Sequence, residues 1–127
     1  MKIYNIGIIG CGSIAAKMAA TLGGMKGVKR YAVASRTVEK AKAFAGKWQF
    51  TKAYGSYEEL ASDPEVDLIY IATPHAMHYE NARLCIEKGK PVLCEKAFTA
   101  NARQAADLLK LAEEKKVFLT EAIWTRY

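Results

Sequence analysis

The spacing of apolar and polar positions changes repeatedly along the chain, and each change marks a new element. Ile3 to Ile9 is a β-branched apolar run that enters Gly10-Cys11-Gly12, which predicts a strand and a tight turn. The Ala-rich segment 13–22 follows with helical character and is stopped by Gly23-Gly24. Val28–Ser35 reads as a second strand. Across 37–48, Ala41, Phe44, Ala45 and Trp48 recur at helical spacing behind Thr37, a capping residue. A short strand is expected over 50–54. Ser56 with Glu59 three residues on has the form of a capping box, opening a short helix closed by Asp63-Pro64. The nearly continuous apolar stretch within 67–73 suits a strand buried on both faces. Pro74 then begins a helix that runs to about Lys88 and stops at Gly89. Val92-Leu93-Cys94 is a fifth strand, Asn101 caps a helix to about Lys115, and Val117–Glu121 is a sixth strand.

Strands that alternate with helices from end to end imply βαβ units and a parallel sheet covered on both faces. The expected class is α/β, a Rossmann-type doubly wound parallel sheet with its ligand across the carboxyl ends of the strands. The chain has 127 residues, 51% hydrophobic and 25% charged, an ordinary balance for one globular domain. Its net charge of +6 raises the question of nucleic acid. The lysines, however, are scattered along helices and interleaved with Glu39, Glu87, Glu113 and Glu114, so no nucleic-acid partner is expected. No apolar run approaches the ~18–20 residues of a membrane span, and no signal peptide is read after Lys2. Cys11, Cys85 and Cys94 are odd in number and form no C-x-x-C pair, so neither a disulfide framework nor a zinc site is indicated. A reducing, cytoplasmic setting is the expectation.

The chemistry gathers where strands end. Gly10-Cys11-Gly12-Ser13-Ile14-Ala15 is the G-x-G-x-x-A pattern placed between a strand and a helix, the setting in which it signals dinucleotide binding. Gly10 makes the turn, Gly12 admits a pyrophosphate to the backbone, and Ala15 lets the helix pack closely. The helix start turns unpaired N–H groups towards the phosphates, with Cys11, Ser13 and Ile14 completing the turn. Ser35 and Arg36 close the second strand, twenty residues past Ala15, where NAD-binding domains carry an acidic residue for the ribose. With no acid there, Arg36 suits a 2′-phosphate, helped by the hydroxyls of Ser35 and Thr37, so NADP is expected ahead of NAD, which stays open. Thr73, Pro74, His75 and His78 follow the fourth strand on the same edge. Two histidines three apart need a third ligand for metal and none is clear, so they are read as lining the cofactor or capping the helix. Glu95 and Lys96 close the fifth strand, and a lysine near an oxidised nicotinamide exchanges a proton with a substrate hydroxyl, unless it only positions substrate or forms a surface ion pair.

Taken together, the glycine turn, Thr73-Pro74 with His78, Gly89–Lys96 and Glu121–Arg126 resemble the glucose–fructose oxidoreductase/inositol dehydrogenase (Gfo/Idh/MocA) family. The last stretch is most similar to its dihydrodiol dehydrogenase and NADP-dependent xylose dehydrogenase branch. The resemblance covers the whole chain and implies an NAD(P)-dependent dehydrogenase of sugars, polyols or diols, a homo-oligomer in its full-length form. It also implies that Glu95-Lys96 is the family's Glu-Lys-Pro motif with Lys96 as the catalytic lysine, and that Trp124 and Arg126 border the substrate. Ala97 departs from it, standing where the family has proline, so rigidity after the lysine is lost. The family's second α/β domain supplies substrate pocket and subunit contacts, and this sequence stops at Tyr127, where that domain would begin. The expectation is one dinucleotide-binding domain over 1–127, the nucleotide-binding half of a longer enzyme, inactive by itself. A non-catalytic NAD(P)-binding sensor or regulatory module is the alternative, and an interaction domain with a vestigial glycine loop a third.

Overall fold

The computed structural model describes residues 3–73, 78–94, 102–117 and 119–121. Strands and helices alternate in the order β1 (Tyr4–Ile9), α1 (Ser13–Gly23), β2 (Val28–Ala34), α2 (Val38–Trp48), β3 (Lys52–Tyr54), α3 (Tyr57–Ala61), β4 (Leu68–Ile71), α4 (His78–Glu87), β5 (Val92–Cys94), α5 (Ala102–Lys115) and β6 (Leu119–Glu121). The strands form one sheet in the order β3-β2-β1-β4-β5-β6. Every neighbouring pair is parallel. The chain builds outward from β1 to one edge, then crosses to β4 and builds towards the other. Connections on either side of the β1–β4 boundary therefore leave in opposite directions, which opens a crevice above the carboxyl ends of those two strands.

Alternation along the strands divides the core in two. Ile6 and Ile8 of β1, Val33 of β2 and Tyr70 of β4 face α1 and α2, where Ala15, Met18, Ala19, Leu22, Phe44 and Ala45 are buried against them. Ile9, Ala32, Ala34, Ile69 and Ile71 face the other way, into Leu60, Ala82, Cys85, Ile86, Leu108 and Ala112 of the remaining helices. Both faces of the sheet are thus covered, which is why the strands read as continuous apolar runs. The β1–β2 register slips between Ile6 and Gly7, so that Arg30 pairs with Ile6 and Ala32 with Gly7. Tyr31 is the extra residue, and this bulge turns its side chain to the same core as Ala32.

Several predicted ends move, each for a traceable reason. The third strand begins at Lys52, not at position 50, because the Phe50 N–H turns back to the Ala45 carbonyl and closes α2. The sixth begins at Leu119 because the Val117 N–H likewise closes α5 on Ala112. The fourth begins at Leu68, since the Asp67 carboxylate is used to accept the Asn5 N–H. α3 ends at Ala61 with Ser62 as its cap, which leaves Asp63 free for a different task. The predicted helix starts at Pro74 and Asn101 lie outside the described residues.

Candidate functional site

Two glycines shape the turn above β1. Gly10 has φ +110°, and a Cβ there would stand 2.9 Å from the Ala72 carbonyl oxygen just past β4. The turn is tied on both sides, with Gly10 N–H donating to the Ala34 carbonyl and Ala72 N–H to that of Ile9. Gly12 is different: its backbone is extended, it caps α1, and a Cβ there would meet nothing within 4 Å. No side chain caps the α1 N-terminus and no acidic residue sits in its first turn, whereas Thr37 caps α2 and Ser56 caps α3. The first N–H groups of α1 therefore face an open surface without an acceptor from the helix's own side chains, and a pyrophosphate fits that cradle. Ser13 is exposed beside it, while Ile14 packs on the core and Ala15 is fully buried.

At the end of β2, Ser35 is buried near the thiol of Cys11. Glycine turn and second strand are joined through the backbone, by the Gly10 N–H on the Ala34 carbonyl. Burial pushes the Cys11 thiol up, opposed by Ser35 and by the charge of Lys40, so it stays a thiol at neutral pH. Arg36 is exposed, and its positive charge lies near the Tyr57 phenol, whose pKa burial raises above the ordinary value in spite of it. The Thr37 hydroxyl accepts the Lys40 N–H at 3.4 Å as the cap of α2. An open groove of about 500 Å³ runs from Cys11, Gly12 and Ser13 down between α1 and α2, lined further by Lys40, Phe44 and Trp48. The groove suits an anion, with the open α1 amides at one side and Lys40 at the other, and the exposed Arg36 stands at the end of β2.

Across the crevice Thr73 is buried behind β4 and accepts a hydrogen bond from the Asn81 amide of α4 at 2.7 Å. His78 opens α4 in the described chain. β5 lies beside β4 with Cys94 opposite Ile71, and β6 beside β5 with Glu121 opposite Cys94. The chain thus leaves β5 on the same edge as Ala72, immediately before Glu95. Pro74, His75, Glu95, Lys96, Ala97, Trp124 and Arg126 lie outside the described residues. Among the described residues no three His, Cys, Asp or Glu side chains gather as a metal site, and no helix is long and apolar enough to cross a membrane.

Sequence reading missed three contributors to this edge. Lys40 was grouped with the solvated lysines, although it follows Arg36 by four positions in the first turn of α2. Tyr57 carried one available signal: Ser56 as cap places it at the first helical position after β3, on the ligand side. Asn81 carried none, because it meets Thr73 only once α4 is laid on β4.

Residues 4–123 match the model of the Gfo/Idh/MocA oxidoreductase family, described as having an NAD-binding Rossmann fold. The chain is 59% identical to the D-xylose 1-dehydrogenase (NADP(+)) of Hypocrea jecorina over 76 residues, 60% of this chain and 19% of that protein. It is 43% identical to the trans-1,2-dihydrobenzene-1,2-diol dehydrogenase of Mus musculus over 123 residues, 95% of this chain and 37% of the relative. Among solved structures, KijD10, a 3-ketoreductase from Actinomadura kijaniata in complex with TDP-benzene and NADP, superposes with a TM-score of 0.89 at 30% identity, covering 94% of this chain and 38% of the other. The match spans less than two-fifths of each of these proteins.

Proposed function

We propose, because this chain belongs to the Gfo/Idh/MocA oxidoreductase family with its NAD-binding Rossmann fold, that residues 1–127 are the dinucleotide-binding domain of an NADP-dependent dehydrogenase. Its substrate class is a sugar, polyol or related diol, oxidised or reduced at a carbinol carbon, in keeping with relatives named for D-xylose and for a dihydrobenzene diol. The observation that carries NADP over NAD is the end of β2: no carboxylate, a buried Ser35, and the cations Arg36 and Lys40 beside it.

The chain's own residues divide the work. Gly10 shapes the turn, and Gly12 with Ser13 and Ile14 leaves the α1 amides open to the pyrophosphate. Cys11 and Ser35 line the cofactor side of the turn, which the Gly10 N–H ties to β2, and Thr37 holds the α2 start from which Lys40 projects. Thr73, braced by Asn81, together with Pro74, His75 and His78, borders the cofactor on the β4 side. The nicotinamide, when bound, supplies or takes the hydride. Lys96, with Glu95, holds at its Nζ the proton exchanged with the substrate hydroxyl. Trp124 and Arg126 border the substrate. Turnover, the homo-oligomeric assembly and a cytoplasmic setting belong to this proposal for the whole protein.

Titration of this chain with NADPH and NADH tests the cofactor reading. NADPH binds more tightly, and Arg36→Ala weakens it by roughly 1.5–3 kcal/mol, about 10- to 150-fold, with NADH nearly unchanged. The loss shrinks as salt is raised, because Arg36 is exposed. Equal or tighter NADH binding by the wild-type chain overturns NADP preference. For the lysine, Lys96→Met lowers kcat of the NADP-linked reaction by about 10²–10⁴-fold and leaves the NADPH Kd in place. A variant that keeps most of its activity removes Lys96 from the chemistry.

A further inference from the structure

The start of α4 is held from two opposite faces. Tyr79 and Arg83 lie one turn apart on one face, while Asn81, two positions from Tyr79, stands about 200° round the helix from it. On the sheet side the Asn81 amide donates to the Thr73 hydroxyl at 2.7 Å, and both residues are buried. Thr73 is itself set beside the glycine turn, since a Cβ on Gly10 would stand 3.2 Å from the Thr73 nitrogen. Towards α5, the Tyr79 phenol donates to the carboxylate of Asp107, in the second turn of that helix. The Arg83 guanidinium donates to the same carboxylate oxygen at 2.9 Å and to the Tyr79 oxygen at 3.4 Å. A continuous path thus leads from the glycine turn through Thr73 and Asn81, across the first turn of α4, to Tyr79 and Asp107.

The side chains of Arg83 and Asp107 are 42% and 43% exposed, and an ion pair this open to water adds little to stability. What the three groups fix is geometry. With the pyrophosphate at the α1 start and the adenosine end over β2, the nicotinamide end of a dinucleotide lies over β4, beside the start of α4. α5 follows β5, the next strand in the sheet after β4, so Asp107 ties together the helices that follow two adjacent strands on that side. We infer that Asp107 is a positioning residue for the nicotinamide half of the cofactor: it takes Tyr79 and Arg83 together and holds the α4 start at the β4 edge of the crevice. This rests on the dinucleotide reading given above. The adenosine half, over β2, meets neither helix and is indifferent to the arrangement.

Comparing the whole cofactor with its adenosine half tests this on the chain itself. Dissociation constants are measured for NADPH and for 2′,5′-ADP, which carries the 2′-phosphate but no nicotinamide, with wild type, Tyr79→Phe, Asp107→Ala and Asp107→Asn. Asp107→Ala is expected to weaken NADPH about 3–10-fold, the scale of a lost hydrogen bond, and 2′,5′-ADP less than about twofold. Tyr79→Phe acts in the same direction. Asp107→Asn keeps an acceptor for the phenol and recovers part of the loss. Equal losses for both ligands mean a merely structural role and overturn the inference. So does NADPH binding left unchanged by Asp107→Ala, or NADPH bound by wild type no more tightly than 2′,5′-ADP. Should Asp107→Ala not fold, Tyr79→Phe carries the same comparison alone. The NADP reading is judged separately, on wild type: tighter binding of NADH than of NADPH overturns that reading, and the role of Asp107 is then read from NADH against ADP-ribose with the same variants.

Discussion

Gly10 and Gly12 stand two positions apart and answer to different constraints, one internal to the fold and one external to it. At Gly10 the backbone is left-handed and an added methyl collides with main-chain atoms of Ala72 and Thr73, which cannot swing aside. Gly10→Ala is therefore expected to destabilise the chain by about 1–3 kcal/mol, read as a fall in Tm of several degrees. At Gly12 the backbone is extended and the space open, so Gly12→Ala leaves stability within about 1 kcal/mol. Its methyl stands instead where a pyrophosphate approaches, and NADPH affinity falls by at least about tenfold. Wild-type binding by Gly12→Ala removes the pyrophosphate from this turn, and an unchanged Tm for Gly10→Ala refutes the strain argument. The glycine pair and the missing carboxylate at Ser35-Arg36 were legible in the sequence because fixed spacing from a strand carries them. Lys40 and Asn81 were not, because each acquires its role from a neighbour on another element.

At the level of elements, legibility followed the helix caps. Thr37 and Ser56 announced the starts of α2 and α3, and both accept the N–H three residues on. Gly24 and Gly89 announced the ends of α1 and α4. The misplaced starts of β3 and β6 share one geometry, set by the helix ends before them. Gln49 after α2 has φ +62° and Lys116 after α5 has φ +57°, left-handed positions held by residues other than glycine. In each case the next apolar residue, Phe50 or Val117, sends its N–H back to a carbonyl of the last turn. Glycine is the usual sign of this closure, and without it an apolar residue ahead of a strand reads as part of the strand. The same logic gives the α1 start its meaning: it is the one of these three helix starts with no side-chain cap, and it lies at the glycine turn.

Across the molecule, one buried carboxylate ties together parts that the sheet alone does not join. Asp63 has a side chain only 3% exposed. It accepts from Tyr54 of β3 at 2.6 Å, from Tyr31 at the β2 bulge at 3.0 Å and from the Glu65 N–H at 2.8 Å. Lys52 stands 3.8 Å away, and Lys90, ahead of β5, donates to the Asp63 carbonyl at 2.7 Å. In the sequence Asp63-Pro64 read only as a helix stop, because the two tyrosines lie 32 and 9 positions away. Burial raises the Asp63 pKa, but the two phenols, the Glu65 N–H and Lys52 outweigh it and hold the carboxyl below its ordinary value. A lowered folded pKa contributes stability that is complete above the unfolded value of about 3.9 and is lost as pH falls through the folded one. Tyr54 has the opposite sign: burial and the Asp63 charge raise it, so its contribution is complete below about pH 10 and lost above it. Other carboxylates also titrate in acid, so the informative quantity is the difference between wild type and Asp63→Asn in urea unfolding from pH 2 to 7. At neutral pH the variant is less stable by about 1.5–3 kcal/mol, the range for hydrogen bonds to a charged group. Below about pH 4 the gap closes, because wild type loses the charge that the variant never had. A gap that stays constant down to pH 2 means that the Asp63 charge does not hold β2, β3 and the β4 approach together.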